Sequence, residues 1–160
     1  MDIYDPVQVQ AVWSRVMQPP QTAPDEETLL RWLAEERASA AAYRTLAARG
    51  GSFAPRLRHM AADELRHAER LAALYFLLFG FRPQVFPAAA DTDRSFGAAL
   101  RSAYQGELAA AKNYRAAARR FPEQASMFES VAADEERHAR MLWEMTAALM
   151  GRASPHRRRG

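Results

Sequence analysis

Val9, Val12, Trp13, Val16 and Met17 recur at intervals of three and four, placing five apolar side chains on one helical face. With Asp5 as a cap and Pro6 at the first helical position, the pattern predicts a short amphipathic helix over about 6–17. Pro19-Pro20-Gln21-Thr22-Ala23-Pro24 then reads as a linker. Four longer helical stretches follow. The first runs from about Asp25 to Arg49, acidic at its start and ended by Gly50-Gly51. The second starts near Ser52 with Pro55 in its first turn and stops at Gly80. The third spans about Thr92 to Arg120, and the fourth opens at Pro122 and ends at Gly151. No alternating strand pattern appears.

Helices of this length are roughly 36–43 Å long at 1.5 Å per residue. Only a few residues separate the first from the second and the third from the fourth, so each pair folds back antiparallel. The connection between the second and third, containing Pro83 and Pro87, is long enough to carry the chain the length of a bundle. The predicted fold is all-α: an antiparallel four-helix bundle with a long 2–3 crossover and a short extra N-terminal helix. Residues 1–24 form the short helix and linker, 25–151 the bundle and 152–160 a disordered basic tail.

The 160 residues suit one domain with a sizeable core. The formal charge of +3 is inflated by Arg157-Arg158-Arg159, so the body is near neutral and offers no nucleic-acid footprint. No apolar run approaches the ~20 residues of a membrane span. Met1 to Asp5 lacks the basic start and apolar core of a signal peptide, which points to the cytoplasm. Cysteine is absent, excluding disulfides and any thiolate metal centre carried by these residues. Electrons for redox chemistry would have to come from another molecule.

A repeat adds the chemistry. Asp63-Glu64-Leu65-Arg66-His67 and Asp134-Glu135-Glu136-Arg137-His138 are the same word, and the shift of 71 positions also carries Glu36 onto Glu107 and Tyr43 onto Tyr114. The bundle is thus read as two copies of a half, about 28–80 and 99–151. A single Glu-x-x-His is weak, because such pairs arise on solvated faces. Two copies in register, each with a Glu 28 residues upstream, are far more specific. Glu64 and His67 lie at i and i+3 and point the same way, as do Glu135 and His138. Their carboxylates can bridge two ions while each imidazole holds one, and Glu36 and Glu107 cap the ions from the far side. Four carboxylates balance two divalent cations. A donor set rich in oxygen, with some nitrogen and no sulfur, favours iron or manganese over structural zinc.

Tyr43 and Tyr114 stand two turns beyond Glu36 and Glu107. They read as core tyrosines, or as catalytic neighbours of the metals that donate to a ligand carboxylate or supply a proton or electron, and their position favours the second. Asp63 and Asp134 are candidates to accept from the ring N–H of a ligand histidine, with Arg66 and Arg137 holding those aspartates in turn; ordinary surface ion pairs at i, i+3 are the equal alternative. His59 and His156 have no counterpart in the other half and are read as non-ligands. Leu74 to Phe79 are mostly core, with an excess that suggests a subunit contact or an apolar entrance.

Glu36, Tyr43, Glu64, His67, Glu107, Tyr114, Glu135 and His138 together resemble the ferritin-like di-iron superfamily, and most closely its rubrerythrin-like branch, over roughly 28–150. The resemblance implies two iron ions per subunit, with manganese possible, held by terminal Glu36 and Glu107, bridging Glu64 and Glu135, and His67 and His138. It implies reduction of peroxide or O2 with an external reductant such as a rubredoxin, ferredoxin or flavoprotein, in a homodimer. The chain departs from the branch at Ala110, where rubrerythrins usually carry an extra Glu, and in lacking a rubredoxin domain. The Asp-Glu-x-Arg-His word is shared with larger di-iron oxygenases, so oxygenation of an apolar substrate is the alternative activity, and plain iron binding the non-catalytic one.

Overall fold

The computed structural model describes residues 7, 8, 10, 14, 23–86 and 94–152. Four long helices account for most of them: α1 (Glu26–Arg49), α2 (Ala54–Phe79), α3 (Phe96–Arg120) and α4 (Ala125–Arg152). No strand occurs among the described residues. No helix among them is long and apolar enough to cross a membrane. The short helix expected over 6–17 lies largely outside the described residues, as does the basic tail beyond 152. Positions 7, 8, 10 and 14 are helical and exposed.

Local chemistry sets the boundaries. Asp25 caps α1, its carboxylate accepting from the Thr28 backbone N–H at 2.8 Å. A 3₁₀ turn (Gly51–Phe53) tightens the hairpin into α2, and Gly51 supplies its φ of 54°. Gly80 ends α2 at φ 81°, donating its N–H to the Phe76 carbonyl at 2.8 Å. The third helix begins later than the sequence pattern predicts. Ser95 accepts from the Ala98 N–H at 3.3 Å and so caps α3 at Phe96, while Arg94 stands in a bend. Pro122 opens a second 3₁₀ turn (Pro122–Gln124) rather than α4 itself, which runs from Ala125 to Arg152.

The crossover can be followed along α1. At the N-terminal end of α1, the Tyr75 hydroxyl near the end of α2 donates to Glu26 at 2.5 Å. Midway, Arg37 donates to the Val85 carbonyl, and at the far end Arg49 donates to the Arg94 carbonyl, both at 2.5 Å. The connection therefore delivers α3 beside the C-terminal end of α1, and α3 runs back antiparallel to it. The α1–α2 and α3–α4 hairpins then face each other.

Two apolar clusters fill the interior. One joins Leu29, Leu33, Leu71, Tyr75, Phe128 and Val131; the other joins Leu46, Leu57, Met60, Leu100, Leu142 and Met145. Each fully buried side chain of this size contributes about 1.5–3 kcal/mol. Between the clusters lies a layer of buried charged side chains. Burying unpaired charge costs several kcal/mol per ion, so this layer needs compensating charge.

Candidate metal centre

The polar layer consists of Glu36 from α1, Glu64 and His67 from α2, Glu107 from α3, and Glu135 and His138 from α4, every one of them at most 5 % exposed. Helical spacing brings Glu64 with His67 and Glu135 with His138 onto the inward faces of α2 and α4. The lone glutamates enter from α1 and α3.

Two overlapping groups of ligand atoms form, each with all its atoms within 4.8 Å of one another. Glu36, Glu64, His67 and Glu135 make one; Glu64, Glu107, Glu135 and His138 make the other. Glu64 and Glu135 belong to both. His67 Nδ1 lies 3.3 Å from Glu36, 3.7 Å from Glu64 and 3.1 Å from Glu135. His138 Nδ1 lies 2.9 Å from Glu64, 3.4 Å from Glu135 and 3.7 Å from Glu107. The two rings are 6.1 Å apart between centroids.

Support comes crosswise, from the opposite hairpin. His67 Nε2 is 3.1 Å from Asp134, and His138 Nε2 is 3.0 Å from Asp63. Both aspartates are held ionised: burial opposes this, but the His and Arg hydrogen bonds lower their pKa. An ionised carboxylate only accepts, so each Nε2 carries a proton and each Nδ1 is the atom turned toward the glutamates. The Tyr43 hydroxyl donates to Glu107, and the Tyr114 hydroxyl donates to Glu36. Burial, and then the neighbouring carboxylates, raises both phenol pKa values, so both stay protonated donors.

The aspartates are not equivalent. Asp63 accepts from Arg66, from Arg137 at 2.9 Å and from His138. Asp134 accepts from Arg137 and His67. Arg137 therefore ties the two hairpins together. His59 stays outside the cluster, mostly exposed and 3.7 Å from Asp63; His156 lies outside the described residues.

Positive charge is what this arrangement lacks. Glu36 Oε2, Glu64 Oε1, both Glu135 oxygens and both His Nδ1 atoms are buried without a hydrogen-bond partner. Six inward lone-pair positions without a donor suit cations. The titration behaviour of the metal-free protein carries the same message. Burial works against the His67 imidazolium, yet Glu135, Glu36 and Glu64 push its pKa up to about 12. His138 moves the same way. Burial and the adjacent carboxylates raise Glu36 and Glu107, so protons stand in for missing charge there too. Glu64 and Glu135 are lowered despite burial, by the positive charge of the His138 and His67 rings beside them. The residues thus suit divalent cations, and Glu64 and Glu135 belong to both groups.

A cavity of ≈ 380 Å³ reaches this layer between α1 and α3. Glu36, Glu107, Tyr114, Ser39, Gly106 and Ala110 are on its wall. The Ala110 position, where the resemblance leads one to expect a further glutamate, is thus open space beside the cluster. The apolar end of α2 is not this entrance: Leu74 and Tyr75 are buried, while Phe76 and Leu77 face outward at 49 % and 79 % exposure. Sequence reasoning missed the cavity and the crosswise pairing of Tyr and Asp.

The sequence model of the rubrerythrin family matches residues 98–159, covering α3 and α4. The chain is therefore similar to ferritin-like, rubrerythrin-like di-iron proteins. No curated protein matches it.

Proposed function

We propose that this rubrerythrin-like chain is a non-haem di-iron oxidoreductase that reduces peroxide or O2 with electrons from an external donor. The observation that carries this reading is the pair of overlapping ligand groups sharing Glu64 and Glu135. Glu36 with His67 would hold one ion, and Glu107 with His138 the other. Iron suits this donor set, and manganese fits it as well. When bound, a ferrous pair supplies two electrons together to one O–O bond, without releasing a radical.

The chain's own residues do the rest. Asp134 and Asp63 keep the imidazoles oriented with Nδ1 inward. Tyr114 and Tyr43 hold the outer carboxylates and keep a proton beside each. The cavity between α1 and α3 admits a small oxidant to the carboxylate face. These 160 residues hold no cysteine for a thiolate iron centre, so a rubredoxin-, ferredoxin- or flavin-type donor would supply the electrons. A cytoplasmic homodimer is the setting this reading implies.

Stopped-flow mixing of anaerobic, ferrous-loaded protein with peroxide, and separately with O2, tests the proposal. Oxidation faster than that of free ferrous ion by either oxidant is expected; no acceleration by either would refute it. A second reading, oxygenation of an apolar substrate, is favoured by the open space at Ala110. It predicts that an added substrate is consumed in step with O2. Binding of iron without accelerated oxidation would leave the non-catalytic role.

A further inference from the structure

On the outer side of the first hairpin, α1 and α2 border a cavity of ≈ 380 Å³ whose wall carries two guanidinium groups, Arg44 from α1 and Arg58 from α2. Leu65, Ala47, Ala48, Ala61 and Ala62 make up the rest of it. Both arginines are exposed, and among the described residues no carboxylate pairs with either. Glu69, one turn beyond Leu65 on α2, is not on the wall.

The repeat shows what this surface lacks. A shift of 71 positions turns Arg44, Arg58 and Leu65 into Arg115, Glu129 and Glu136, and Ala48 into Arg119. There Arg115 donates to Glu129 at 3.0 Å and to Glu136 at 2.8 Å. Two arginines and two glutamates cancel on that hairpin. On the first hairpin both acidic positions are gone, one of them taken by a second arginine. Two guanidinium groups facing one cavity repel each other, and an anion between them removes that repulsion.

We infer that this notch docks an acidic segment of a partner protein, one carboxylate meeting Arg44 and another Arg58. Guanidinium forks pair with carboxylates through two parallel hydrogen bonds. The partner's carboxylates would fill the role that Glu129 and Glu136 fill for Arg115. The apolar part of the wall suits the methylene stem of a glutamate. Two cations are too few for the run of phosphates in a nucleic acid. The chain's own basic end, Arg157 to Arg159, has the wrong charge to occupy the notch. Docking here is independent of what the metal centre does.

Fluorescence anisotropy of a dye-labelled peptide of eight glutamates, titrated at low salt with the full-length protein, tests this. Saturable binding is expected, weakening as salt is added, because exposed charges are screened. Arg58→Glu with Leu65→Glu rebuilds the ion pairs of the second hairpin around Arg44 and should weaken binding about tenfold or more. Arg119→Glu with Arg140→Gln alters the net charge equally on the other hairpin, at two exposed positions, and should leave binding as in the parent. Arg44→Gln with Arg58→Gln should give the same loss as the first pair without touching half-buried Leu65, and stands in for it if that pair does not fold. Absence of peptide binding by the parent, or equal loss in the variants of both hairpins, would overturn the inference. So would tighter binding of a single-stranded oligonucleotide that the same variants abolish. Light scattering that shows a parent dimer split by Arg58→Glu with Leu65→Glu would also overturn it, because a second copy would then occupy the notch.

Discussion

The Tyr43 hydroxyl donates to the Glu107 carboxylate, joining the first hairpin to the second at the edge of the buried polar layer. The reciprocal contact, Tyr114 to Glu36, closes the other side. Each half of the chain therefore holds the lone glutamate of the other half. Neither half can complete the centre alone.

Removing one phenol tests that dependence. Tyr43→Phe leaves a buried oxygen of Glu107 without its donor and should cost about 1–3 kcal/mol. Urea denaturation of the metal-free protein checks this. An unchanged midpoint would mean that the contact contributes nothing.

The unequal aspartates lead to an ordering. Asp63 holds His138 and two arginines, whereas Asp134 holds His67 and one. Substituting a carboxylate that orients a ligand histidine typically lowers metal affinity about 10–100-fold. Asp63→Asn should weaken metal binding more than Asp134→Asn, as measured by competition with a chromogenic chelator. The reverse order would contradict the role given to Arg137.

The buried cluster was legible because helical spacing and the repeat both select its members: Glu64 with His67, Glu135 with His138, and Glu36 and Glu107 by the common shift. The crosswise support was not legible. It arises because α3 runs antiparallel to α1, and α4 to α2, which local spacing does not encode. The third helix starts later than the sequence pattern predicts because the Ser95 side chain caps it at Phe96.

Metal-dependent stability should depend on pH with a definite sign. His67 rises from an ordinary 6.5 to about 12 in the metal-free fold. Its contribution is full below pH 6.5, shrinks as pH rises above that, and is lost once pH passes about 12. Raised Glu36 and Glu107 act in the same direction. Lowered Glu64 and Glu135 contribute above about 4.5 and lose it only as the solution becomes acidic. Between pH 6.5 and 9 the metal-free fold should therefore weaken. Metal ions compete with these same protons, so their stabilisation should grow over that window, by about 1.4 kcal/mol per pH unit for each displaced proton, or roughly 3 °C. Thermal melts with and without metal at pH 6.5 and 8.5 would show the gap widening; a constant gap would contradict this charge assignment.

Ala110 offers a gain-of-function test. Its side chain borders the cavity beside Glu107 and Glu36. Ala110→Glu puts a carboxylate where rubrerythrins usually carry one, and should raise the ratio of peroxide-driven to O2-driven ferrous oxidation. A ratio unchanged from the parent would show that this position does not govern oxidant choice.

Anaerobic titration of metal-free protein with ferrous ion, followed by elemental analysis after desalting, probes the convergence of the six side chains most directly. Two ions per chain are expected in the parent protein, with retention sharply reduced in Glu64→Ala and Glu135→Ala, since each removes a ligand common to both positions. A parent that retains no iron, or retains it equally well without Glu64 and Glu135, would contradict the two-ion centre.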